Sequence, residues 1–502
     1  MDSYDNPYSF QNVSHSLEPE RVVSLAASLS PPGGCRTTPL PQGGHQVTAT
    51  GSPPPASLTT SWKWRYRTGA LGPSDRALIR EPRPVSVTDR NVAVVGGGAV
   101  GVTAACDLAA AGADVTLYER GDLASGASGR AAGIAYDAFA EDVDAAVADR
   151  AIARFRELGS AADADFAFRE CPYVWFARAG DDRRTRAVRE SVAGMRRNDR
   201  DVALLAPGPG TDALAGRFPA LAGVDVEVAA VARNAAVVDT TAYVRAAADR
   251  AAAAGATLRT GTPVRLVDDG TAVEPVENES EGESESGSED GRRRFDAVLV
   301  AAGAHTKRLL ADVDLSIPMK PYRVQALVTD PVDAAPADDA APADDAATDT
   351  VPADAPVPTV YDATAGRYAR PHGQGLLVGD GTQEREFDPD GYERDADSSF
   401  ERASLAWVAE TFDLRSDPAL DRSWAGLCTA TPDRNPLVGR VADDRAVFVA
   451  TGFQGHGFMR APALGERVAT ELLGGDGIGA FDPRRFDGDE DFDVVEGMSV
   501  DE

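Results

Sequence analysis

"NVAVVGGGAVGVTAACDLAAAGADVTLYER", residues 91–120, is the stretch on which the fold turns. "NVAVV" reads as a short buried strand, "AVGVTAACDLAAAG" as an alanine-rich helix, and "ADVTLYER" as a second strand, so the three form a βαβ unit. Between strand and helix lies Gly96-x-Gly98-x-x-Gly101, and Glu119 closes the second strand 21 residues beyond Gly98. Each part has a physical task. Gly96 permits the tight turn, Gly98 admits a pyrophosphate against bare backbone, Gly101 lets helix and strand pack closely, and the helix N-terminus offers unpaired N–H groups. Glu119 accepts from both ribose hydroxyls and repels a 2′-phosphate. An α/β fold binding an adenosine diphosphate moiety follows, with NAD and FAD both open, because they share the half this loop reads.

Outward from that unit, composition sets bounds. The 502 residues suffice for two or three domains, and the formal net charge of −30 argues against nucleic acid and anionic membrane surfaces. Lys63, Lys307 and Lys320 are the only lysines; with the carboxylate excess this reads as a halophilic protein. Cys35, Cys106, Cys171 and Cys428 form no CxxC pair, which signals neither zinc nor an iron–sulfur cluster. "MDSYDNPYSF" has no leader pattern and no run reaches transmembrane length, so a cytoplasmic protein without a membrane span is expected.

Four segments stand apart. Residues 1–88, rich in Pro, Ser, Thr and Gly, are either a disordered extension or translated upstream sequence ahead of a start near Val85 or Val87. "EPVENESEGESESGSEDG" (274–291) reads as a solvated hairpin insertion, 331–358 with its Ala-Pro-Ala-Asp-Asp repeat as a flexible loop, and 480–502 as an acidic tail. Helices are expected at 143–158, 181–198 and 240–254, and "FDAVLVAAG" (295–303) as a central parallel strand.

A second glycine cluster, "TGFQGHGFMRAPALGE" (451–466), opens a late helix, and "ERGDLASGASGRAAGI" (119–134) continues from Glu119 as if beside a longer ligand. With "VVDTTAYVRAAADRAAAAGATLRTGTPV", "FDAVLVAAGAHT", "KPYRVQALV" and "WAGLCTATPDRNPLVGR", these segments span about 90–475 in order. In this combination the chain resembles the FAD-dependent amine and amino-acid oxidoreductases of the D-amino-acid oxidase superfamily, among them sarcosine oxidase, dimethylglycine dehydrogenase and glycine oxidase. The resemblance implies a Rossmann-like FAD-binding domain (89–145, 234–312 and 420–475) with an interleaved mixed-sheet substrate domain (146–233 and 313–419). It also implies that Gly452, Gly455, His456, Gly457, Phe458 and Met459 line the flavin ring, where bare N–H groups favour the negative charge of reduction. Ser128 and Arg130 near the phosphates, Val264 by the adenine, Ala302 and Gly303 at a strand end, and Arg120 complete the implied cofactor set. Thr431 and Pro432 fall in the family's "TPD" turn.

Departures from the family matter as much. Sarcosine oxidases attach flavin through a cysteine six residues before the proline of that turn; here the position is Gly426, which implies noncovalent FAD. Their carboxylate-binding lysine corresponds to Met459, and no lysine follows Lys320, which favours a dehydrogenase with another electron acceptor over an oxidase. A carboxylate-bearing amine calls for a charge-assisted partner, and Tyr368, Arg370, His372 and Arg460 are the candidates, with His456 beside the flavin. The expected reaction is oxidation of the C–N bond of a small secondary amine or amino acid, of sarcosine, dimethylglycine, glycine or proline type, by hydride transfer to flavin N5 and imine hydrolysis. Two alternatives stay open: a flavin-dependent 2-hydroxyacid or glycerol-3-phosphate dehydrogenase, and a flavin-binding subunit of an electron-transfer complex with partner subunits.

Overall fold

The computed structural model describes residues 90–161, 165–206, 209–276, 291–332 and 357–495. The extension 1–88, most of both low-complexity insertions, and 496–502 lie outside the described residues. The framing elements run in chain order as β1 (Asn91–Val95), α1 (Ala99–Ala110), β2 (Asp114–Tyr118), β3 (Ile134–Tyr136), α2 (Asp142–Gly159) and β4 (Tyr173–Arg178). Then come β5 (Val202–Leu205), β6 (Val226–Ala232), α3 (Thr240–Ala253), β7 (Thr257–Arg259) and β8 (Ala297–Val300). The second half holds β9 (Lys320–Thr329), β10 (Thr359–Asp362), β11 (Arg367–His372), β12 (Gly375–Gln383), β13 (Leu420–Ala430), β14 (Leu437–Arg440), β15 (Val447–Thr451) and α4 (Gly457–Leu472).

A six-stranded sheet in the order β14-β15-β8-β1-β2-β7 is parallel apart from the edge strand β14. The chain leaves β1 towards β2 on one side, and β8 returns on the other, so the carboxyl end of β1 is a topological switch point where a crevice opens. Against one face pack α1, α3 and α4, their Ala-rich surfaces letting backbones approach; Val102, Leu108, Val244 and Leu464 are buried there. A hydroxyl pair, Thr103 Oγ1 and Tyr243 OH at 2.8 Å, ties α1 to α3. The other face is covered by Leu266, Val273, Phe295 and Leu310.

An eight-stranded mixed sheet in the order β13-β9-β12-β11-β10-β4-β6-β5 forms the second layer. Strand alternation gives it two different faces. Val174, Phe176, Val360 and Val378 turn to a core closed by Phe400 and Trp407 of the helix Ser398–Thr411, whereas Tyr173 and Trp175 belong to the opposite face.

Three boundaries differ from those expected. β13, placed by the resemblance in the dinucleotide domain, pairs along its length with β9 and belongs to the large sheet. α2, placed with the substrate domain, contributes Val147, Ile152 and Phe155 to the core under α1 and α4. The tail is not free through 495: Phe481 and Val494 are buried, Arg485 holds Asp433 at 2.8 Å, and Lys320 holds Asp491 at 2.7 Å. Among the described residues no helix is long and apolar enough to cross a membrane.

Candidate flavin and substrate site

The crevice at β1 opens into a cavity of about 940 Å³ that runs from the glycine-rich loop to the face of the large sheet. At its first end Gly96 takes φ +121°, and a Cβ there would lie 2.3 Å from Ala301 O. Gly101 is not on the cavity wall; a Cβ there would stand 2.0 Å from Gly96 O, so its role is helix–strand packing. Gly98 lines the wall and begins α1 with no side-chain cap. Ser128 Oγ accepts the Ala99 N–H at 2.9 Å, which places this hydroxyl at the mouth of the helix.

Glu119 is pinned rather than loose. One carboxylate oxygen accepts from Gly97 N–H at 2.7 Å and the other from Gly121 N–H at 2.9 Å, leaving further lone pairs for hydroxyls in the cavity. Arg120, Arg130, Val264, Ala302 and Gly303 all lie on the wall. Arg120 pairs with Asp390 at 3.3 Å, and Arg130 donates to the carbonyls of Ser125 and Gly126. Gly426 faces Arg130: a Cβ at 426 would lie 3.4 Å from its Cδ, and the wall there carries no thiol except Cys428, two residues on.

At the second end α4 starts with no capping side chain and no acid in its first turn. Gly455, His456, Gly457, Phe458 and Met459 line the wall there. Gly452 does not; it packs on Thr431, whose Cγ2 would lie 2.4 Å from a Cβ. The turn that carries Thr431 and Pro432 is fixed from within, Thr431 Oγ1 donating to Asn435 O at 2.8 Å and Asp433 gripping Arg485. His456 is buried, its Nε2 is 3.3 Å from Tyr136 OH, and burial pushes its pKa down to about 3, so the imidazole is neutral.

Opposite α4 the large sheet presents a row that no motif announced. Trp175, Tyr361, Tyr368, Gly379, Ala326 and Trp424 are register partners across six successive strands and so share one face. Gly379 is required because a Cβ would stand 2.1 Å from the Tyr368 ring. Tyr361, Tyr368, Ala326 and Trp424 reach the wall, joined by Tyr136 and Tyr173, whose rings are 4.8 Å apart. Burial raises the pKa of Tyr136 and Tyr173, so these phenols stay neutral. The row and these phenols are therefore aromatic and uncharged.

Of the substrate candidates, Tyr368 and His456 are on the wall, whereas Arg370, His372 and Arg460 are not. Arg370 is buried; its Nε donates to Ala132 O and its Nη1 to Pro371 O at 2.8 Å, which props the wall segment from behind. Burial lowers its pKa to about 10. His372 sits between Arg370 (3.2 Å) and Arg422 (3.0 Å), outside the cavity. Arg460 packs over Phe139 and forms an ion pair with Asp144 at 2.9 Å, not aligned as a hydrogen bond. The sequence patterns also missed the segment 384–397, which lays Pro389, Asp390, Tyr392 and Arg394 along the wall.

The cavity fits a dinucleotide. A helix N-terminus at each end, neither capped by the side chain of its own N-cap residue, and the anchored carboxylate of Glu119 lie on its wall. Residues 91–471 match the model of a family described as FAD dependent oxidoreductase. The chain is 33% identical over 187 residues to the tRNA 5-methylaminomethyl-2-thiouridine biosynthesis bifunctional protein MnmC of Maricaulis maris, covering 37% of this chain and 25% of that protein. It is 29% identical over 189 residues to D-amino acid dehydrogenase of Neisseria gonorrhoeae, covering 38% and 39%. The matched part thus spans between a quarter and two fifths of these relatives. Among solved structures, L-proline dehydrogenase from P. horikoshii superposes with TM-score 0.64 at 24% identity over 79% of this chain and 98% of that one. Glycine oxidase from Geobacillus kaustophilus gives 0.64 at 22%, over 80% and 100%. At such identities the likeness is one of fold.

Proposed function

Because the chain belongs to the family of FAD-dependent oxidoreductases, we propose that it oxidises the C–N bond of a small amine or amino acid that bears a carboxylate. The observation that carries this is the uncapped N-terminus of α4 facing a neutral aromatic wall across a cavity continuous with the dinucleotide loop. FAD supplies the acceptor for a hydride from the carbon next to nitrogen. Glu119 would hold the ribose hydroxyls, the start of α1 with Ser128 and Arg130 would hold the diphosphate, and the first N–H groups of α4 would favour negative charge at the ring edge. Tyr136, Tyr173, Tyr361 and Tyr368 exclude water and hold the amine in its neutral form. His456, neutral and bonded to Tyr136, orients that phenol. The imine product then hydrolyses in water.

Support for the substrate class comes from relatives named for such acids: D-amino acid dehydrogenase, glycine oxidase and monomeric sarcosine oxidase. A tRNA substrate, as the name of the MnmC relative suggests for that protein, fits poorly with a net charge of −30. FAD is held without a covalent bond at 426, since glycine has no thiol, and an acceptor other than oxygen is favoured because no lysine follows Lys320.

The test is anaerobic. Holoenzyme in molar salt is mixed with glycine, sarcosine, L-proline, D-alanine, lactate and glycerol 3-phosphate, and flavin absorbance is followed. Bleaching by one of the amino acids, with faster reoxidation by a dye than by air and with the yellow flavin released on acid precipitation, is expected. Bleaching by lactate or glycerol 3-phosphate alone would replace amine oxidation with alcohol oxidation, and no bleaching would favour an electron-transfer subunit.

A further inference from the structure

Arg370 and Arg460 leave a carboxylate without a partner, yet four other arginines line the cavity: Arg120, Arg130, Arg308 and Arg394. Three of them are already engaged. Arg120 and Arg308 pair with Asp390, and Arg308 also with Asp388 at 2.5 Å. Arg130 is turned onto the Ser125 and Gly126 carbonyls, beside the Ser128 hydroxyl that takes the Ala99 N–H, and so belongs to the diphosphate end.

Arg394 is different. Among the described residues its guanidinium meets no carboxylate and makes no hydrogen bond; its one contact is the ring of Tyr392, 5.9 Å away. Of the four arginines on the wall, it alone has a guanidinium with neither a carboxylate nor a carbonyl to hold it. Its backbone, by contrast, is fixed. Arg394 O accepts the Ala425 N–H at 2.7 Å, directly between the wall residues Trp424 and Gly426. On either side Arg323, only 2% exposed, donates to Glu393 O at 2.9 Å, Asp395 O at 2.6 Å and the Asp397 carboxylate at 3.2 Å. Gln325 Oε1 accepts the Asp397 N–H at 2.7 Å. Farther along, Asp388 and Asp390 tie the same segment to Arg120, His305 and Arg308 of the dinucleotide domain. A rigid backbone thus holds an unpaired cation at the wall next to Trp424.

We propose that Arg394 receives the substrate's carboxylate and makes the enzyme selective for amino acids over uncharged amines; this rests on the amine-oxidation reading above. Its planar fork suits a carboxylate in two-point contact, and the segment's anchors spare it the ordering that a mobile loop would undergo on binding.

The probe is acetate, a carboxylate that no amine oxidation consumes, titrated into oxidised holoenzyme at fixed ionic strength and read as a shift in flavin absorbance. Arg394→Met is expected to raise the acetate Kd and the KM of the best amino acid at least about tenfold, with the flavin spectrum intact and the KM of the corresponding amide unchanged. Arg394→Lys should recover part of the loss. Acetate without effect on the wild type, equal Kd in both proteins, or equal loss for acid and amide would overturn the assignment. Acetate binding that depends on Arg394 in a protein whose flavin no amine bleaches would support the arginine and defeat the amine reading.

Discussion

At α4's N-cap the chain places a histidine where a serine or aspartate would ordinarily stand. His456 instead turns inward, its ring centroid 5.5 Å from Phe139 and 6.4 Å from Tyr136, with Arg460 adding to the burial that keeps it neutral. Its pKa in the folded protein, about 3, lies below the roughly 6.5 of the unfolded chain. Between those values the unfolded state holds the extra proton, so His456 costs stability as pH falls from about 6.5 towards 3. At pH 5 that cost is about 2 kcal/mol. The expected outcome is that His456→Asn, whatever its stability at pH 7, loses less on acidification to pH 5 than the wild type does in urea melts. Parallel losses would show that His456 carries a proton when buried. The same scale explains which site residues were legible. Glu119 and Gly101 could be read because Gly97 and Gly96, which they meet, lie in the same βαβ unit; Arg370 and Arg460 could not, because Ala132 and Asp144, which take them, come from distant parts of the chain.

Between elements, one side chain joins α2 to two helices of the dinucleotide domain at once, beside the apolar contacts of Val147, Ile152 and Phe155. Arg154 donates to both oxygens of Asp107 on α1, at 2.7 and 2.8 Å, and to Pro462 O on α4 at 2.9 Å. Burial raises the Asp107 pKa and Arg154 opposes the rise, so removing the arginine leaves a buried carboxyl without its cation. Arg154→Met should cost about 3 to 5 kcal/mol, and Asp107→Leu added to it should restore most of that. A single-variant loss below about 1 kcal/mol in chemical denaturation would mean the pair merely decorates the helices. Periodicity found α2 to within a residue or so, at Asp142–Gly159, but said nothing of the neighbour it packs on. The aromatic row was hidden for a related reason. Tyr361, Tyr368 and Trp424 look like ordinary strand residues until five strand pairings, between β4 and β13, bring them into register.

For the whole molecule, charge decides what solvent it tolerates. The six acids and eight bases of residues 1–88 leave 74 acids against 42 bases on residues 89–502. Many arginines are paired, yet pairs such as Arg120–Asp390 and Arg308–Asp388 are half exposed and contribute little individually. Salt weakens these attractions and the net repulsion together. The repulsion is the larger effect, because every surplus carboxylate acts on every other within the screening distance, which shrinks from about 10 Å at 0.1 M to about 3 Å at 1 M. The melting temperature and FAD retention should therefore both rise as KCl goes from 0.1 to 1 M; chloride is the useful anion here, since sulfate stabilises proteins through exclusion whatever their charge. Arg394 supplies an internal contrast: screening of an exposed guanidinium should weaken acetate binding over the same range in which the fold grows stronger. A melting temperature flat or falling with KCl would show that the local ion pairs outweigh the global excess, and the halophilic reading of the composition would fall with it.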